Sequence, residues 1–181
     1  MKKLVLVIIS FCTVSMVSLT FAQSDKKNTI GVHIAPNYWP ISREGWQQSI
    51  SFGLDYTRQL SKRWFISGGI EEIGLFSKTQ VVTNSGILSI PVQAKFNLNN
   101  HFYFNLGPSL DVQHLKYLYG DKYNIEFGIG WRLGAGYEHE FNNGITLSLN
   151  PFMKGSSILT YFRDAATGGF FGVNLQIGYK F

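Results

Sequence analysis

Apolar and polar side chains alternate along most of this chain with a period of two residues. The alternation recurs in eight runs. Ile30, Val32 and Ile34 alternate with Gly31, His33 and Ala35; Ile50, Phe52, Leu54 and Tyr56 alternate with Ser49, Ser51, Gly53, Asp55 and Thr57. A less regular third run, Trp64 to Ile73, sets Trp64, Ile66 and Ile70 against Phe65, Ser67, Gly69 and Glu71. In the fourth, Leu88, Ile90, Val92, Ala94, Phe96 and Leu98 oppose Ser89, Pro91, Gln93, Lys95 and Asn97; in the fifth, Phe102, Phe104, Leu106, Leu110 and Val112 oppose Tyr103, Asn105, Gly107, Ser109 and Asp111. The sixth is the longest, with Ile125 to Tyr137 against Glu126, Gly128, Gly130, Arg132, Gly134, Gly136 and Glu138. Ile145, Leu147, Leu149 and Met153 against Thr146, Ser148, Asn150 and Lys154 make the seventh, and Phe171 to Phe181 the eighth. Successive side chains of a strand point to opposite faces, so each run predicts a strand with one greasy and one polar face. Helical periodicity is weak, and no apolar run beyond the N-terminal segment reaches the ~18 residues that a membrane helix needs.

The connections sort by length. Three are short and rich in turn residues: Ser61 to Arg63, Asn97 to His101 and Phe141 to Gly144. Four read as longer: "NYWPISREGWQ", "SKTQVVTNSG", "QHLKYLYGDKY" and "GSSILTYFRDAATGG". Long and short alternate strictly, the order expected of an eight-stranded antiparallel up-and-down transmembrane β-barrel with both termini periplasmic and four long extracellular loops.

The N-terminus changes the picture of where such a barrel resides. Lys2 and Lys3 precede an apolar stretch from Leu4 to Val17, and Thr20-Phe21-Ala22 offers a small-residue cleavage site. That pattern predicts a secretory signal peptide over 1–22; the stretch is too short and too interrupted by Ser and Thr for a membrane anchor. Residues 23–28 are a short segment, and 29–181 are the barrel domain. Cys12, the single cysteine, lies in the signal, and Phe11 before it excludes a lipoprotein site. No disulfide, thiol chemistry or zinc site is then expected of the exported part, and no cofactor. The formal charge of +5 loses the two signal lysines and is scattered, which argues against nucleic acid as a partner.

Composition then decides which face is inside. A soluble, lipocalin-like barrel also alternates, but its polar face would carry many Lys and Glu. Here charged residues make up 15% of the chain and aromatics another 15%, with 19 glycines. The polar faces consist mainly of Gly, Ser, Asn, Gln and Thr, which suits a narrow lumen. By strand parity that lumen holds Asp55, Glu71, Asp111, Glu126 and Glu138 against Lys95, Arg132, Lys154 and Lys180, a near-neutral set expected to pair as a polar plug. The apolar faces, Phe52, Phe104 and Trp131 among them, are expected to meet lipid, with aromatic girdles near strand ends.

Leu88 to Leu110, "LSIPVQAKFNLNNHFYFNLGPSL", resembles the outer-membrane β-barrel domain family that includes PorT-like proteins and the small OmpA- or OmpX-like barrels. The glycine-rich "FGIGWRLGAGYEHEF", Phe127 to Phe141, is similar to that family's sixth strand. The resemblance implies residence in the outer membrane of a Gram-negative bacterium. It also implies that Tyr179 and Phe181, closing the last strand, form a signal read by the barrel-assembly machinery. Outer-membrane lipids and lipopolysaccharide are the remaining implied partners. No catalytic signature carries over.

Small outer-membrane barrels that modify lipids resemble this chain in size, so a catalytic reading needs its own test. His101 and His139 lie beside short turns and His33 points inward, which leaves His114 near Ser109 and Asp111. A triad needs the base to reach the nucleophile, yet His114 has the opposite parity to both. The glycines of "GIGWRLGAG" lie on one face of a strand with no helix after it, so they are packing, not a nucleotide loop. The long connections carry Trp39, Trp46, Tyr117, Tyr119 and Tyr161, a set that suits either surface recognition or a membrane-interface belt. A non-enzymatic barrel that is structural, adhesive or accessory to envelope or secretion machinery is the first expectation; a small pore or transport barrel is the alternative, and after it an outer-membrane lipid-modifying enzyme using His114.

Overall fold

In the computed structural model, residues 27–41, 45–75, 82–117, 123–157 and 169–181 are described. They form eight strands: β1 (Asn28–Ile41), β2 (Gly45–Gln59), β3 (Trp64–Leu75), β4 (Val82–Asn97), β5 (Phe102–Tyr117), β6 (Tyr123–Glu140), β7 (Ile145–Ser156) and β8 (Gly169–Lys180). Each pairs antiparallel with the next, and β8 returns to β1 to close the barrel. Closure is completed at the chain ends, where Asn28 and Phe181 exchange backbone hydrogen bonds of 3.0 and 2.8 Å. A closed ladder leaves no unpaired edge, the condition for a sheet to survive in hydrocarbon. The expected signal segment 1–22 lies outside the described residues, and Asn28, placed before the barrel by the sequence, is already in β1.

The short turns have local causes. Asn99 Oδ1 accepts from the N–H groups of both His101 and Phe102, each at 2.8 Å, which folds the β4–β5 link on itself. In the β6–β7 link Gly144 has a φ of 86°, a conformation that a Cβ would make costly, while Asn143 Oδ1 accepts from Ile145 N–H.

At the opposite end the structure corrects the expected loops. β1 and β2 run on to Ile41 and from Gly45, so most of "NYWPISREGWQ" is ladder, with Trp39 opposite Gln47 and Trp46 opposite Pro40. Likewise Tyr117 closes β5 opposite Val82. Only 42–44, 76–81, 118–122 and 157–168 lie between strands at this end. Aromatic and β-branched residues favour extended chain, and a hairpin already in register keeps gaining ladder hydrogen bonds past the bilayer. Trp39, Trp46 and Tyr117 are therefore strand residues, not loop residues; Tyr119 and Tyr161 lie outside the described residues.

Burial is inverted relative to a water-soluble protein. Among the described residues, six hydrophobic side chains are buried against nineteen polar or charged ones. Phe52, Leu54, Leu106, Phe127, Ile129 and Ile177 all face outward and exposed. Near the turns, outward rings cluster: Trp64 with Phe96 at 4.9 Å, Phe102 with Tyr137 at 5.4 Å, and His139 with Phe141 at 4.6 Å. Such a girdle is what an interface between lipid and water accommodates.

Candidate functional site

All eight strands enclose the lumen, and its chemistry changes along the axis. At mid-barrel, Glu71 is fully buried and accepts from Ser51 Oγ at 2.8 Å and from Arg132 Nη1 at 3.0 Å. His33 stands beside it, Nε2 3.6 Å from Glu71 Oε1, with Nδ1 bonded to Asp55. A second group adjoins on β4, β5 and β7: Lys154 donates to Asp111 at 3.0 Å and to Ser89 Oγ, and Ser89 in turn donates to Asp111 at 2.7 Å. Each buried charge thus meets an opposite one, and Glu71, Asp111 and Lys154 gain a serine hydroxyl as well, which offsets the cost of taking them out of water.

Small residues make this crowding possible. Gly53 lies under the His33 ring, Gly130 under Asp111 and Ser109, and Gly136 under the ring of Tyr103; a Cβ at any of them would collide. The inward glycines of β6 act as floors for bulky groups on the facing strands.

Against this network and beyond it toward the loop end lies an apolar cluster of Ala35, Ile73, Ile87, Phe152 and Phe170. Phe152 and Phe170 meet edge to face at 6.2 Å, and the Arg132 guanidinium stacks 3.6 Å over the Phe152 ring. Toward the turn end the lumen widens into a cavity of about 620 Å³, lined by residues of every strand. Lys95 pairs there with Glu138 at 2.7 Å and stands 4.1 Å over the Tyr103 ring; Lys180 pairs with Glu140 at 2.6 Å in a half-exposed bridge.

Of the residues that parity places inside, Arg132 meets Glu71, Lys154 meets Asp111 and Lys95 meets Glu138. Two partners are not in that set: Lys180 takes Glu140, and Asp55 takes His33. Glu126 shares the inward parity and stands opposite Gln113. Glu140 continues the same face of β6 as Glu138, so the signal for it was present in the alternation. Phe152 and Phe170 likewise share the inward parity of Lys154 and Asn174, beside outward Met153 and Phe171.

The hypothetical triad does not assemble. Ser109 and Asp111 are buried in the lumen, whereas His114 is on the outer face with Nε2 3.8 Å from Glu72 Oε1, both side chains half exposed. His101 stacks on Tyr137 and on His139 in the turn-end girdle. Tyr179 on β8 and Phe181 just past its end are both exposed, Tyr179 in register with Ile30 and Ile145.

Comparison with known proteins agrees with this architecture. A family model described as outer membrane protein beta-barrel domain matches residues 6–181. Among solved structures, Neisserial surface protein A superposes with a TM-score of 0.62 at 12% identity, covering 88% of this chain and 100% of that one. The attachment invasion locus protein Ail of Yersinia pestis gives 0.58 at 13% identity, covering 87% and 100%. No curated protein sequence matches.

Proposed function

The chain belongs to the outer membrane protein beta-barrel domain family, and from that membership we propose that it is a non-enzymatic outer-membrane barrel whose lumen is plugged rather than conducting. The observation that carries this is the mid-barrel packing: Glu71, Asp111 and Lys154 are fully buried, Arg132 nearly so, and Phe152 and Phe170 lie against them. An eight-stranded interior is only just wide enough for side chains, so this network leaves no aqueous path. With the interior occupied, the work of the protein falls to its outer surfaces, as a structural, adhesive or accessory element of the envelope. The strand extensions at the loop end, to which Trp39, Trp46 and Tyr117 belong, are the presentation surface in this reading, close to lipopolysaccharide. Both termini and the short turns face the periplasm, and Tyr179 and Phe181 serve the barrel-assembly machinery.

Single-channel recording in planar bilayers tests the plug. The expected trace is a flat baseline with rare, small events; large, stable open states would overturn the reading in favour of a small pore. Orientation is tested on intact cells with a membrane-impermeant maleimide: Gly120→Cys is expected to label and Asn142→Cys to stay unlabelled. Replacing His114 with Ala is expected to leave lipid A composition unchanged by mass spectrometry, and a changed acylation pattern would reinstate catalysis.

A further inference from the structure

The turn-end cavity is more than the unfilled remainder of the barrel. Its carboxylates already have partners: Glu138 is paired with Lys95, Glu140 with Lys180, and Asp55 is hydrogen-bonded to His33. Its bases are in excess. Among the described residues Lys62 and Arg63, on the β2–β3 turn at the mouth, form no ion pair, yet both line the cavity. Deeper, Arg132 also lines it; one nitrogen is spent on Glu71, while Nε and Nη2 meet no hydrogen-bond partner. Cationic donors are therefore presented at both the mouth and the floor.

The wall between them is built of carboxamides. Gln93, Asn105, Asn150, Asn174 and Gln176 line it, and the Oδ1 atoms of Asn105 and Asn174 are buried without a donor. Buried acceptors left unpaired are costly, so a group that donates to them is favoured there. Cationic donors that suit a carboxylate or phosphate, and amide acceptors that suit hydroxyls, describe complementary halves of one ligand. The volume of about 620 Å³ fits a small molecule, not a polymer passing through.

From this geometry we infer that the cavity is a binding pocket for a small hydroxylated anion of the sugar-acid type, entered from the turn end. The Arg132 edge holds its acidic group, the Asn105 and Asn174 carbonyls accept from its hydroxyls, and Lys62 and Arg63 draw it to the mouth. The inference goes beyond the plugged-lumen reading, since a titration and a channel recording report on the two separately.

The test uses the ¹⁵N-labelled protein in detergent micelles, titrated with D-glucuronate, with D-glucose and acetate at matched ionic strength as the two half-ligands. Saturable shifts are expected with glucuronate in the backbone and side-chain amides of Asn105, Asn150 and Asn174. Glucose and acetate are expected to bind at least about tenfold more weakly, each lacking one half of the complement. The double variant Lys62→Ala with Arg63→Ala, outside the lumen ion pairs, is expected to weaken glucuronate by about tenfold while the rest of the spectrum is unchanged. Absence of saturable shifts up to about 10 mM, equal binding of either half-ligand, or an unchanged affinity in the double variant would overturn the pocket.

Discussion

The two halves of the lumen are built by the same alternation and end up with opposite characters. From mid-barrel to the loop end, inward positions hold a packed set: Glu71 with Arg132, Asp111 with Lys154, and the phenylalanines 152 and 170. Toward the turn end, inward positions hold half-exposed bridges and carboxamides around open volume. Parity assigns a residue to the inside but says nothing about how well the inside is filled. Filling depends on volume and pairing: long side chains that find a partner across the barrel close it, and short amides leave it wet.

That contrast is sharpest where a buried charge loses its partner. Glu71→Ala strands Arg132 and His33 in a dry site, and a cost of about 3–5 kcal/mol is expected, read by denaturant unfolding in lipid vesicles. The double variant Glu71→Leu with Arg132→Leu is expected to recover most of it, since removing both charges also removes their desolvation. A single variant no worse than a surface substitution would mean that water reaches this half as well. Phe152→Ala is next, at about 3 kcal/mol for the lost ring. Paired with Phe170→Ala it is also the variant most expected to conduct in a bilayer, because the apolar half of the packing is gone. Gly144→Ala, forced to keep a φ of 86°, is expected to cost about 1 kcal/mol in the same assay. At the turn end Lys180→Ala removes a bridge that solvent already screens, and the expected loss is below about 1 kcal/mol. A large effect there would erase the distinction between the halves.

Much of this was legible beforehand. The eight strands, their antiparallel order and the inward or outward parity of Asp55, Glu71, Lys95, Asp111, Arg132, Glu138, Lys154 and Lys180 follow from a period of two and from turn residues such as Asn99 and Gly144. Partner choice did not follow. Lys180 reaches across β7 to Glu140 and Asp55 bonds His33 because of how the strands are staggered around the barrel, which the alternation does not encode. The layering of fill was hidden for the same reason, since Ile73, Ile87, Phe152 and Phe170 come together from β3, β4, β7 and β8. Strand ends were misjudged where polar and proline residues looked like loop; ladder pairing across β1 and β2 carried them into the sheet.

The pairing of β1 with β8 has a consequence for how the molecule comes into being. Thr29 and Lys180 are register partners although nearly the whole described chain separates them. The ladder that turns a sheet into a barrel is therefore the last one available to a chain acquiring its contacts in order, and bringing its ends together carries the largest loop-closure entropy of any ladder here. Until it forms, the molecule is a curved ribbon with two bare edges and a greasy back, prone to pair with its own copies.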